Sequence, residues 1–515
     1  MEEFTDYIWM LAPVLLSGIS GICLLLSSFL SHIRETKDEQ GVCGEQKAEN
    51  TEKSLKKLHI LVGIVLTVSV ILALTAVWTK ERSLTLFHLM ENIPVYFKVD
   101  ALGRLFVTLT SVIWLAVVIY AFVYMKHEGE EKRFFGFFLL VYAVLFALET
   151  SGNLVTLYVF YELMTFTSMP LVLHSGSRES IMAALKYLFY SMCGAYCALF
   201  GIYFLYKYCD SLTFTAGGTL NMTLLSGNVL ILQIAVFLML VGFGAKAGML
   251  PLHSWLTAAH PAAPAPASAA LSSIIVKGGV LAIIRTVYYI VGPEFLRGTW
   301  VQTAWMILTL LTVFMGSMLA YREKVFKKRL AYSTISQVSY ILFGLSLLES
   351  QAVTGALLHV VFHACIKCAL FLTAGIFIFR TGKTRVDEYK GIGKKMNVTL
   401  WSYTFASLAL IGIPPMSGFV SKWYLAMGAL YSDTGIFRYL GPAVLLISAL
   451  LTAGYLLPVT INGFLPGETD ETKPEKEPLD KMTVVLLILG IFTVILGVWP
   501  NLLIAYAERI SISLF

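Results

Sequence analysis

Residues 232–256 read LQIAVFLMLVGFGAKAGMLPLHSWL. A long apolar run ends on Lys246, and Gly248 and Pro251 follow within one turn and a half. Proline removes a backbone donor and clashes with the preceding turn, so the pattern predicts a helix broken beside a lysine. A second stretch, residues 410–425, reads LIGIPPMSGFVSKWYL, with Pro414, Pro415 and Gly418 just before Lys422. Interrupted apolar segments at matching places in two halves of a chain point to a transporter's ion path. Ordinary proline kinks are the alternative reading.

The rest of the chain fits a lipid solvent. Of its 515 residues, 57% are hydrophobic and only 14% charged, against about 25% charged in soluble proteins. A spanning helix needs roughly 20 mostly apolar residues. This predicts an all-α integral membrane protein of about fourteen helices, near 7–31, 58–79, 103–125, 134–150, 153–173, 181–206, 229–258, 267–291, 301–321, 330–348, 352–379, 398–430, 440–463 and 482–507. The loops 33–57 and 466–481 read as polar, solvated connections. The acidic start, Met1–Tyr7, does not fit a cleavable signal.

Orientation follows from the positive-inside bias. With both termini outside, the connections facing inward carry 24 Lys and Arg and those facing outward carry 7. The basic loop Arg322–Arg329 (REKVFKKR) is the sharpest inner marker. A cell-membrane location is expected. The net charge of +6 is thereby distributed by topology, and no basic stripe suggests nucleic acid.

The two breaks lie five helices apart, an odd number, so a duplicated five-helix unit would enter the membrane in opposite senses. Two inverted repeats with broken helices seven and twelve are expected. The division is 1–130 (three leading helices), 131–291 and 301–465 (the repeats), and 466–515 (a loop and the last helix).

Ionisable side chains inside these helices carry the functional reading, because a charge at mid-bilayer costs a few kcal/mol. Glu162 sits in TLYVFYELMTFTSMP with no partner three or four residues away; Lys246 is the cation expected to pair with it, as a switchable or a static pair. Lys277 lies in SAALSSIIVKGGVLAIIR, roughly 15 Å deep at the helical rise. A desolvated lysine suits proton exchange, though one fixed by helix carbonyls would look the same. His359, His363 and Lys367 are spaced i, i+4, i+8 and share one helix face. Histidine suits a proton relay; plain hydrogen bonding is the alternative, and no third ligand supports a metal.

Lys422 is the counterpart of Lys246, with carbonyls freed at the proline break open to water. His253 follows the first break and could share the face of Lys246. His260 is expected at the solvated inner loop, and Lys186 and Arg285 are expected to reach for the interface. Cys365 and Cys368 lie within an apolar helix and read as inert buried thiols. No zinc site and no iron–sulfur pattern is seen in the sequence.

The ordered motifs resemble the antiporter-like membrane subunits shared by Mrp-type cation/proton antiporters, respiratory complex I and membrane-bound hydrogenases. In the first half they are Tyr161-Glu162-Leu163, Lys246-Ala-Gly-Met-Leu-Pro-Leu-His253-Ser-Trp255, His260-Pro-Ala-Ala-Pro-Ala-Pro266 and Val276-Lys277. In the second they are Lys327-Lys-Arg-Leu-Ala-Tyr-Ser-Thr-Ile-Ser-Gln337, His363-Ala-Cys-Ile-Lys367, Gly412-Ile-Pro-Pro-Met-Ser-Gly418 and Ser421-Lys422-Trp423. The resemblance covers roughly residues 100–465 and is greatest to the D-type chain of Mrp antiporters.

It implies proton translocation in a multisubunit Na+/H+ antiporter, or as the alternative, the proton-pumping part of an NADH dehydrogenase or hydrogenase complex. It assigns Glu162 and Lys246 as a coupling pair, Lys277, His359 and His363 as a relay and Lys422 as the last carrier. The chain itself would hold no redox centre. The implied partners are homologous and small membrane subunits, with a dehydrogenase or hydrogenase module under the alternative. Two departures stand out. Lys422 replaces the glutamate of some complex I members, and Thr257-Ala-Ala259 replaces the proline and acid usual after the tryptophan. A lone organic-solute carrier would instead show an aromatic or polar pocket, and a scaffold protein would lack the lysines.

Overall fold

The computed structural model describes residues 2–35, 44–90, 93–465 and 477–515. The loops expected at 33–57 and 466–481 therefore lie in part outside the described residues, as does Cys43.

Two long helices open the chain, α1 (Glu2–Glu35) and α2 (Gly44–Trp78). A short antiparallel hairpin follows, β1 (Ser83–Met90) and β2 (Ile93–Lys98), where the sequence predicts only a loop. Next come α3 (Ala101–Glu128), α4 (Glu131–Glu149), α5 (Leu154–Val172) and α6 (Arg178–Tyr208). Asp100, Asn153 and Ser177 cap α3, α5 and α6, each accepting a backbone N–H with its side chain. The first broken element is α7 (Val229–Lys246) with α8 (Ser254–Ala262). After it run α9 (Ala265–Val291), α10 (Trp300–Arg322), α11 (Phe326–Ser346) and α12 (Ser350–Thr381). The second broken element is α13 (Asn397–Ile411) with α14 (Ser417–Tyr431). The chain closes with α15 (Phe437–Phe464), α16 (Lys481–Val498) and α17 (Asn501–Ile512).

Eleven of these helices are long and apolar enough to cross a membrane by themselves. Three further elements complete fourteen. Helix α4 carries Glu131, Lys132, Arg133 and Glu149, α11 is rich in hydroxyls and starts with Lys327, Lys328 and Arg329, and the halves α13 and α14 are each 15 residues long. Each is apolar or enclosed enough to span only in the company of its neighbours. The outward faces are apolar, with Ile19, Leu26, Ile64, Tyr203 and Leu450 all exposed, as a lipid-facing surface requires.

Both breaks hold a glycine in a backbone region that side chains disfavour, Gly248 at φ +81° and Gly412 at φ +91°. Neighbour relations recur across the two five-helix runs. Helix α6 packs on both halves of the first broken element, and α12, its counterpart five elements on, packs on both halves of the second. Likewise α4 packs on α5 as α10 packs on α11.

Two helices are enclosed by the others. Every residue from Ala265 to Val291 is buried, and α12 is buried from Ala352 to Phe377. A helix apolar on all sides belongs inside a bundle. These two carry Lys277, His359, His363 and Lys367. Helix α9 is not uniformly α-helical: its turns are π-helical at Leu271–Ile275 and Arg285–Val291, a widening often found at functional sites.

Arg285 does not reach an interface as expected. It is 1% exposed and its guanidinium grips the Asp100 carboxylate with both terminal nitrogens, between the rings of Phe214 and Tyr289 at 4.8 and 4.6 Å. The Cys209–Leu220 loop covers this end of α9, the amides of Thr215, Gly217 and Thr219 donating to the carbonyls of Tyr289, Tyr288 and Ile290, so the residue lies under protein. Arg285→Met would leave the carboxylate without its cation, at a cost of roughly 3 kcal/mol. Its unfolding midpoint in detergent is expected to fall by several degrees, while Arg297→Met, at the surface, leaves it unchanged.

Candidate proton path

Lys246 ends α7 and is fully buried. Its ammonium donates to the hydroxyls of Tyr187 (2.7 Å), Thr165 (2.8 Å) and Ser191 (3.3 Å), and lies 4.4 Å from the centre of the Tyr187 ring. Tyr161 and Trp255 complete an aromatic wall at 5.8 and 6.0 Å. The Trp255 indole donates to the Ala245 carbonyl, which ties α8 back onto α7.

The approach of α6 to α7 depends on two glycines. A Cβ on Gly194 would stand 2.4 Å from the Gly242 carbonyl oxygen, and one on Gly242 would stand 2.3 Å from that of Gly194. Gly194→Ala should push Tyr187 and Ser191 away from Lys246 and slow proton movement about 10-fold or more, with the complex still assembled on a native gel.

Glu162 makes no closed salt bridge with Lys246 here, although the two groups still feel each other's charge. No ion pair joins them within 4 Å, and Glu162 Oε1 is buried without a hydrogen-bond partner. A static closed pair is therefore absent, and the lysine is bound by hydroxyls with the carboxyl nearby. Neutral hydroxyls satisfy the ammonium's three donors by themselves, so the fold does not need the carboxylate as a counter-ion in this state.

Lys277 follows the first π-helical stretch of α9 and is 1% exposed. Its amine contacts His363 Nδ1 of α12 at 2.7 Å and donates to the Ser272 carbonyl at 2.6 Å. Ser272 in turn hydrogen-bonds Thr334 of α11, 2.8 Å away. The expected one-face stripe on α12 is present. The rings of His359 and His363 lie 5.8 Å apart, and His359 Nδ1 meets the Ser421 hydroxyl of α14 at 2.9 Å. The second ring nitrogen of each histidine has no hydrogen-bond partner among the described residues. Lys367 turns to α11 instead, donating to the Leu330 carbonyl at 3.0 Å and to the Ser333 hydroxyl.

Lys422 holds the break itself. Its ammonium donates to the carbonyls of Leu410 (2.6 Å) and Ile411 (2.9 Å), the last of α13. The freed carbonyls expected to admit water are thus bound by the lysine that follows them. Tyr340 links this end to the histidines, its ring stacked on His359 at 5.7 Å and lying 5.0 Å from the Lys422 amine.

One continuous set of contacts therefore runs Lys277, His363, His359, Ser421 and, through Tyr340, Lys422. Lys246 and Glu162 form a separate station, and His253 joins neither by a hydrogen bond; its Nδ1 is unpartnered. His260 is also corrected. It is fully buried, stacked on Phe371 at 4.5 Å, with neither ring nitrogen bonded to protein. Lys327, taken only as a loop charge, is buried and donates to the Ala263 carbonyl at 2.8 Å. Lys186 is half-buried. Cys365 and Cys368 are buried free thiols, as expected. Among the described residues no group of three or more His, Cys, Asp or Glu is arranged to hold a metal.

The hydroxyls around Lys246 and the carboxyl of Glu149 are not singled out by the sequence. Ser191 lies four residues beyond Tyr187, which is a visible signal, whereas Glu149 reads as part of a turn.

Comparison with known proteins places this arrangement. The transmembrane family described as "NADH:quinone oxidoreductase/Mrp antiporter, TM" matches residues 151–456, and the N-terminal family of complex I chain 5 matches residues 89–135. The N-type chain of NADH-quinone oxidoreductase from Desulforudis audaxviator is 34% identical over 79% of this chain and 82% of its own. The D-type chain of the Na(+)/H(+) antiporter from Alkalihalophilus pseudofirmus is 29% identical over 88% and 90%. The fold is shared with a chain of the Mrp complex from Dietzia sp. DQ12-45-1b, with TM-score 0.79, 21% identity and coverage of 98% and 97%. A chain of the archaeal membrane-bound sulfane sulfur reductase matches with TM-score 0.80, 20% identity and coverage of 99% and 97%. With more than half its length matched by the family and its fold shared across the whole chain, this multi-pass membrane protein belongs to the NADH:quinone oxidoreductase/Mrp antiporter transmembrane family.

Proposed function

We propose that the chain is the proton-translocating subunit of a multisubunit Na+/H+ antiporter, of the Mrp D type. The observation that carries this reading is the Lys277–His363 contact, 2.7 Å between two bases on the two enclosed helices. An amine against an imidazole nitrogen, with no acid beside them, shares one proton readily and two badly. A proton arriving on one side is therefore repelled toward the other. Glu162 and Lys246 are the entry station, Lys277, His363 and His359 the relay, and Lys422 the last carrier. Lys367 and His253 are auxiliary groups beside the file.

Residues 131–291 and 301–465 are the two inverted units around this file, with 1–130 and 466–515 flanking them. The partners are homologous antiporter-like and small membrane subunits, in a cell membrane, with both termini outside. The excess of 24 basic residues over 7 between the two sets of connections supports that orientation.

A second reading has a specific observation in its favour. The 34% identity to an N-type chain of NADH-quinone oxidoreductase fits the same proton path driven by an NADH dehydrogenase module. Gentle purification from the native membrane separates the two. A colourless complex of membrane proteins with Na+-dependent proton movement in vesicles supports the antiporter. Flavin and iron–sulfur absorbance, with dehydrogenase or hydrogenase proteins by mass spectrometry, overturns it in favour of the redox pump.

A further inference from the structure

Glu149 is the last residue of α4 and is 2% exposed. The Thr110 hydroxyl of α3 donates to its Oε1 at 2.5 Å, and its Oε2 has no hydrogen-bond partner among the described residues. No cation lies within ion-pair distance of it among the described residues. The groups facing it are hydroxyls. Tyr142, two turns back on the same helix face, meets Ser111 of α3 at 3.0 Å.

What covers the carboxyl is protein. The Lys98 amide of β2 donates to the Thr150 carbonyl and the Gly152 amide to that of Tyr96, so the hairpin is laced across the turn that follows Glu149. Thr150, Ser151 and Asn153 are all buried beneath it. Beside it, Leu148 packs within van der Waals reach of Gly278, the residue after Lys277, and Met164 of α5 closes the same gap.

A structural role explains this poorly. An N-cap or a salt bridge would give the carboxylate donors, and a single hydroxyl leaves one oxygen bare. Burying a carboxylate with one bond and no cation is costly, and a neutral acid is the form that such surroundings accommodate. Its neighbour Leu148, not the carboxyl itself, touches the turn of α9 that carries Lys277.

We propose that Glu149 is a further proton-carrying carboxyl, which holds a proton under the hairpin and exchanges it during transport. The step is a simple transfer: the carboxylic acid gives its proton to water and, as the anion, takes one back. This rests on the proton-path reading above.

The test compares wild type, Glu149→Gln and Glu149→Asp in the intact complex in lipid vesicles. Glutamine keeps the shape of the neutral acid and its Thr110 contact, so folding is preserved, yet it cannot release a proton. The expected results are proton movement slowed at least 10-fold in Glu149→Gln, recovered in part in Glu149→Asp, and loss in Glu149→Gln of an infrared carboxylic-acid band that responds to pH in the wild type. Normal proton movement in Glu149→Gln, or an unchanged infrared spectrum, overturns the proposal. Absence of proton movement in the wild type would instead defeat the proton-path reading itself.

Discussion

Lys246→Ala should abolish proton movement, by about 100-fold or more, while leaving the protein folded and its complex assembled. The two halves of that expectation have separate causes. The amine sits in a cage of hydroxyls and aromatic rings, none of which takes a proton near neutral pH in its place. The fold, by contrast, loses little. Removing a buried cation also removes its desolvation cost, and Tyr187 keeps a hydrogen bond to Ser168 at 2.8 Å. The check is dye-reported proton movement in membrane vesicles beside a native gel of the complex. Loss of the complex would make Lys246 a structural pin, and full activity would remove it from the path.

The second large effect concerns Lys277, and there the choice of substitution matters more than the loss of contact. Lys277→Ala removes the amine and leaves His363 Nδ1 without its partner. Lys277→Arg keeps a positive charge at the same place, but a guanidinium does not release its proton in proteins. Both variants should be inactive if the amine passes protons. If a fixed positive charge were all that is needed, the arginine variant would retain most of its activity. The vesicle assay distinguishes the two directly.

Much of this was legible in the residues. Gly248 and Pro251, and Pro414, Pro415 and Gly418, announced both breaks, because glycine and proline act locally. The i, i+4, i+8 spacing of His359, His363 and Lys367 placed them on one face, and the structure turns that face toward α9, α11 and α14. What stayed hidden was set by tertiary cover. Arg285, His260 and Lys327 read as interface or solvated groups because they sit near helix ends, where a lipid-facing helix meets water. The loops and the neighbouring helices enclose those ends instead.

Glu149 was hidden for the same reason, since the four residues after it read as an exposed turn. The partners of Lys246 differ from expectation for another cause. Charge pairing suggested Glu162, whereas three hydroxyls from α5 and α6 supply the contacts at shorter reach. The π-helical turns of α9 left no sequence signal, as they follow from how that helix is packed.

The proposal is that the Lys246 station and the Lys277–Lys422 file act in series, and taking their links singly tests it. Lys246→Ala, Lys277→Ala and Lys422→Ala would be expressed in turn in cells lacking the native copy, with proton movement followed in everted vesicles. Stations in series fail at any link, so each variant alone should be inactive with its complex assembled. Wild-type rates in Lys277→Ala and Lys422→Ala would contradict the account, because protons would then be crossing somewhere other than the enclosed helices.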